Sequence, residues 1–145
     1  MTRVCAVDYG RTRTGVAFSD PSRTLAGETA VITEKNERAL AQKLCALFEE
    51  KQVGAVAVGL PVNMDGTVGP QGEKCRRFAA LLSQMSRREV TLIDERRTTV
   101  DAHRILSENG VFRQKRKETV DAVAASLILE IFLKKLRGGG EDAQP

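Results

Sequence analysis

The chain has no tryptophan, one tyrosine, one histidine and three cysteines among its 145 residues. Each scarcity removes a class of chemistry. A histidine triad or a zinc centre finds too few ligands here, and the single His103 falls within a helical pattern, where it reads as a surface or packing residue. Cys5, Cys45 and Cys75 are odd in number, widely spaced and each set in an apolar pattern, so they read as buried thiols rather than disulfides or metal ligands. No Walker-type phosphate loop occurs. No apolar run approaches the roughly 20 residues that cross a bilayer, and the N-terminus shows no basic segment followed by an apolar stretch, which predicts a protein of the reducing cytoplasm without membrane contact. With aromatics at 4%, the core must be built from Val, Leu, Ile and Ala, the packing residues of sheets covered by helices.

Charge, by contrast, is plentiful: 29% of residues are charged and the net charge is +4. The excess is clustered, in Arg76/Arg77, in Arg96/Arg97 and from Arg113 to Lys117, and a cluster makes a local field that a polyanion can use. No internal repeat or linker divides the chain. The expected organisation is a single domain over 1–137 with a glycine-rich, polar, disordered tail over 138–145.

Val4 to Asp8 and Gly15 to Ser19 read as strands joined by the basic turn Gly10 to Thr14, and Thr29 to Thr33 as a third, giving an antiparallel meander. Asn36 is a good N-cap for a helix running to Lys51, with Leu40, Leu44, Leu47 and Phe48 inward and Gly54 ending it. Ala55 to Leu60 is continuously apolar, the signature of a strand buried on both faces. Pro70 opens a second helix over 70–87, with Phe78, Leu81, Leu82 and Met85 as its stripe. Val90 to Ile93 is a fifth strand delivering Asp94, Glu95 and Arg96 at its carboxyl end. Thr98 or Thr99 caps a helix that stops at Asn109-Gly110. Phe112 to Lys117 reads as basic and irregular, and Glu118 to Leu136 as a helix with Val120, Val123, Ala124, Leu127, Ile128 and Ile131 inward. This order predicts an α/β fold with helices on both sides of a mixed sheet.

Three carboxylates stand out. Asp8 ends the first strand at a turn tightened by Gly10, an exposed and rigid ligand position; a turn aspartate bonding nearby amides is the competing reading. Glu95 and Asp94 end the fifth strand, where open α/β sheets bind ligands if the strands run parallel, and neighbouring acids on a strand point to opposite faces, so one of them faces a site. A solvated charge run is the alternative. Asp121 lies at the start of an apolar helix beside the buried stripe, where a carboxylate is costly unless paired; an acid favourably placed near a helix N-terminus is the alternative. Three carboxylates from separate elements at one rim would repel unless cations held them, and hard oxygen ligands select Mg²⁺ or Mn²⁺. Phosphodiester hydrolysis is the reaction that uses such a cluster. Arg11 and Arg13 follow Asp8, Arg96 and Arg97 follow Glu95, and Lys115, Arg116 and Lys117 precede Asp121, so each acid has cationic neighbours able to hold phosphates.

The stretches VDYGRTRTGVAFSD, VGLPVNMDGTVGP, DERRTT and KRKETVDAVAASLIL, which together span nearly the whole chain in order, resemble the YqgF/RuvX family. The resemblance implies an RNase H-like fold with strand order 3-2-1-4-5 and a divalent-metal site on Asp8, Glu95 and Asp121. It also implies a role in processing the 5′ end of pre-16S rRNA during ribosome biogenesis, with RNA favoured over DNA as the partner. Related resolvases carry an acid at the end of the fourth strand, where this chain has Gly59-Leu60-Pro61, and the second acid shifts to the fifth strand. Asn63, Asp65 and Thr67 belong to the matched loop, with turn chemistry as their plainer reading. Two other readings stand beside the rRNA nuclease: a Holliday junction resolvase-like DNA endonuclease, and a nucleic-acid-binding ribosome assembly factor without catalysis. The sequence is compatible with a monomer or a homodimer.

Overall fold

The computed structural model describes residues 2–94 and 113–138, with side chains of the last helix described from Val120 to Arg137. The chain runs β1 (Arg3–Asp8), β2 (Arg13–Ser19), β3 (Ala26–Thr33), α1 (Glu37–Lys51), β4 (Val53–Leu60), α2 (Pro70–Ser86), β5 (Glu89–Asp94) and α3 (Arg113–Gly138). The helix expected over 98–109, with His103 in it, and residues 139–145 of the expected tail lie outside the described residues.

The described strands form one sheet in the order β3-β2-β1-β4-β5. The first three make the antiparallel meander, and β4 and β5 then run parallel to β1. Because side chains alternate along a strand, the sheet buries two separate cores. Cys5, Val7, Val16, Phe18, Val56 and Val58 face α1 and α2, meeting Leu40, Leu44, Phe48, Phe78 and Leu82. Val4, Ala6, Ala17, Ala57 and Ile93 face α3, meeting Ala125, Ile128, Leu129, Phe132 and Leu133. Val56, Ala57 and Val58 are all fully buried, which is why β4 reads as an unbroken apolar run.

Asn36 caps α1 as expected, its side chain accepting from the Ala39 amide at 2.8 Å. Gly54 does not end that helix. The turn out of α1 is made by Gln52 in the left-handed region (φ 56°), whose N–H reaches the Glu49 and Phe48 carbonyls, so a single residue separates helix from strand. Gly54 lies inside β4, where a Cβ would crowd the Thr2 and Arg23 side chains.

The last helix departs from expectation twice. It begins at Arg113, so the basic stretch to Lys117 is helical backbone and not irregular; Arg, Lys and Gln are good helix formers. Its packed face is also rotated. Ala124, Ala125, Ile128, Leu129, Phe132 and Leu133 are buried, whereas Val120, Val123 and Leu127 are only half-buried and Ile131 is exposed. The apolar arc is wide enough to satisfy either register, and the close approach of the helix backbone to Gly15 of the sheet decides between them. No described helix is long and apolar enough to cross a membrane.

Candidate active site

Parallel β1, β4 and β5 end at one rim of the sheet, with Asp8, Leu60 and Asp94 as their last residues. Asp8 pairs directly with Gly15 across the β1–β2 ladder. Gly15 is where α3 touches the sheet backbone to backbone. A Cβ there would overlap the Asp121 carbonyl oxygen and come within 2.6 Å of its carbon. Directly opposed residues of an antiparallel pair present their side chains on one face, so Asp8 shares the α3 face with this contact. It also follows Val4 and Ala6 in the period that packs under α3. The missing side chain of Gly15 thus lets the Asp121 backbone settle against the strand position that pairs with Asp8.

Asp121 is far from the start of its helix. Counted from Arg113 it lies roughly two turns in, beyond the reach of the helix N-terminal dipole, so the alternative of an acid at a helix start falls away. Its carboxylate is held instead by Arg13, whose Nε donates to Oδ2 at 3.2 Å. Arg13, two residues before Gly15, belongs to the same face of β2. Sequence proximity marks this arginine as a phosphate-holding neighbour of Asp8; the ion pair with Asp121 carries no local signal.

Asp94 is turned away. It continues the alternation of Val90 and Leu92, which pack against the α1/α2 core, while Ile93 packs under α3. Glu95, Arg96 and Arg97 lie outside the described residues. Lys115, Arg116 and Lys117 fall in the first turns of α3, which extends roughly 12 Å beyond Asp121 along its axis; their side chains lie outside the description. Arg11 is exposed in the turn between β1 and β2.

The loop after β4 is self-contained. The Thr67 amide and hydroxyl donate to Asp65 Oδ1 at 3.0 and 2.6 Å, and Asn63 Nδ2 donates to the Thr67 hydroxyl at 2.9 Å. These bonds hold the Asp65 carboxyl below its usual range, the Thr67 hydroxyl bond first among them. Asn63, Asp65 and Thr67 therefore do turn chemistry, at the rim where β4 ends.

The residue after Asp8 clamps the turn from the opposite face. Tyr9 stacks on Phe78 with ring centroids 4.3 Å apart and planes 6° from parallel, and its hydroxyl donates to Glu37 Oε1 at 3.0 Å. Burial first, then the bond to Glu37, pushes its phenol from 10.0 up to about 12. Tyr9 is the only tyrosine and no tryptophan is present, so phenolate absorbance reports this one group. The native protein should titrate with a midpoint near 12, and Glu37→Gln should move it back toward 10.0. A folded-state pKa raised above the unfolded one means that the linked stability is complete below the unfolded value and is lost as pH climbs through the window between the two. A midpoint at the ordinary phenol value, with circular dichroism still native, would show that the clamp is not closed in solution.

Hard, anionic oxygens suit Mg²⁺ or Mn²⁺. Asp8 and Asp121 fit that requirement, and the guanidinium on Asp121 shows that this carboxylate is compensated by a cation. Among the described residues no group of three potential ligands assembles, and Glu95, the third predicted carboxylate, lies outside them.

Residues 2–135 match the RuvX family, described as a Holliday junction resolvase. A relative from Thermoanaerobacter pseudethanolicus, named "Putative pre-16S rRNA nuclease", is 41% identical over 132 residues, covering 90% of this chain and 95% of its own. One of the same name from Halothermothrix orenii is 41% identical over 140 residues, covering 94% and 99%. Among solved structures, Thermus thermophilus RuvC in complex with a Holliday junction substrate superposes with a TM-score of 0.60 at 12% identity over 94% of this chain and 97% of that one. The fowlpox virus resolvase in complex with Holliday junction DNA gives 0.57 at 14% identity over 93% and 99%. At such identities these two show the shared RNase H-like fold. The sequence relatives show the family: the chain is a member of the RuvX family.

Proposed function

We propose that this chain is a divalent-metal-dependent nuclease that hydrolyses phosphodiester bonds at the 5′ end of pre-16S rRNA, with Asp8, Glu95 and Asp121 as its catalytic and metal-holding residues. The observation that carries the reading is the juxtaposition of Asp8 and Asp121 on one face of the sheet through Gly15, in a chain whose relatives bear the name of an rRNA nuclease. The turning away of Asp94 toward the α1/α2 side leaves Glu95, its neighbour in sequence, as the candidate third acid. A bound Mg²⁺ or Mn²⁺ supplies activation of a water and charge stabilisation at the leaving oxygen. Asp8 and Asp121 hold fixed positions for it because one ends a hydrogen-bonded strand and the other sits on a helix packed against the sheet. Arg11, Arg13, Arg96, Arg97, Lys115, Arg116 and Lys117 hold substrate phosphates, and the cytoplasm is the site of action.

The fold similarity to RuvC on its junction favours one second reading, a four-way DNA junction as substrate. Purified protein incubated with precursor 16S rRNA ends and with four-way DNA junctions, each in Mn²⁺, Mg²⁺ or EDTA, separates the two. The expected result is cleavage of the rRNA precursor in either metal and none in EDTA. Preferential cutting of the junction would transfer the proposal to DNA, and binding without cutting in every condition would end the catalytic reading.

A further inference from the structure

The ion pair across the candidate site sets an order of events. Arg13 Nε and Asp121 Oδ2 are 3.2 Å apart, with side chains 37% and 24% exposed, so the pair stands at the mouth of the site rather than sealed beneath it. The oxygen it occupies is one that a divalent cation needs, and a guanidinium beside that cation would oppose it. The pair is also weak enough to yield, since ion pairs whose side chains reach solvent are screened and contribute little. The bond uses Nε, one donor of the five that a guanidinium carries in a fork shaped for phosphate.

We propose that Arg13 is a latch on the metal site: it holds the Asp121 carboxylate until a divalent cation takes it, and the released guanidinium then grips a substrate phosphate. The proposal rests on the nuclease reading and deepens it. Metal loading and substrate binding are thereby coupled through one side chain, and by linkage each tightens the other. A nuclease so arranged presents its full phosphate grip only when it holds the ion needed to cut.

The test measures Mn²⁺ affinity by calorimetry for wild type, Arg13→Gln and Arg13→Lys. Binding of a short fluorescent RNA hairpin is then measured by anisotropy in EDTA and in Ca²⁺. Arg13→Gln should bind Mn²⁺ roughly two- to fivefold more tightly, the effect of removing one half-exposed ion pair, and should lose most of the gain in RNA affinity that Ca²⁺ gives the wild type. Arg13→Lys, which keeps the charge but not the fork, should fall between them. If thermal melting shows that Arg13→Gln does not fold, Arg13→Lys carries the comparison in the same direction. A general field effect would tighten Mn²⁺ yet leave the Ca²⁺-dependent gain intact, and that pattern overturns the latch, as does unchanged Mn²⁺ affinity. Absence of saturable Mn²⁺ binding in the wild type overturns the metal-dependent reading itself, so the two failures are distinguishable.

Discussion

Asp8→Asn should lower cleavage more than a hundredfold while leaving nucleic-acid affinity, measured in EDTA, within about twofold of wild type. Loss of a residue that merely orients a metal ligand costs about 10- to 100-fold, and a ligand itself should cost more. The amide keeps the size of the carboxylate and removes the charge, so what changes is the ability to hold a hard cation. The backbone of Asp8 is fixed by its pairing with Gly15, which does not depend on its side chain. The variant should therefore still fold, with a melting temperature close to that of the wild type. Cleavage rate and anisotropy binding, measured on the same preparation, decide the matter. Parallel loss of both with a lowered melting temperature would make Asp8 a structural residue and remove the foundation of the proposed site.

Gly15→Ala should be the most damaging small substitution in the described fold. A methyl group there meets main chain, the Asp121 carbonyl and the Ala122 nitrogen, and main chain cannot rotate aside as a side chain can. The helix must lift from the sheet at the point where Ala125, Ile128 and Leu129 are buried against it. Overpacking of this kind costs about 3 kcal/mol, or roughly 10 °C of melting temperature for a chain of this size. Because the same contact sets the separation of Asp8 and Asp121, cleavage should fall even at temperatures where the variant is folded. Calorimetric melting with an activity assay well below the melting point checks both halves. A variant with wild-type melting and wild-type activity would mean that the helix does not approach the sheet this closely.

Much of this fold was readable because local patterns governed it. The meander, the N-cap at Asn36 and the unbroken apolar run of β4 each follow from the period of side chains or from one backbone requirement. The two buried faces of β4 were also legible, since a period of two leaves no choice. What escaped was decided by distant residues. The register of α3 could not be read because its apolar arc permits two faces, and only Gly15, far away in the chain, selects between them. The same holds for Arg13, whose partner Asp121 lies 108 positions on. Gln52 was missed for another reason: a short connection imposed left-handed backbone on a residue that does not advertise it.

The long-range contact between Gly15 and the backbone of Asp121 bears on the protein's own synthesis. A ribosome releases the chain from its N-terminus, so β1, β2 and the turn bearing Arg13 emerge and can pair well before α3 exists. Until that helix docks, Asp121 is not beside Asp8, and the nascent chain cannot complete the proposed centre. An enzyme that cuts ribosomal RNA would thus acquire its proposed centre only once α3 has emerged and docked on the sheet.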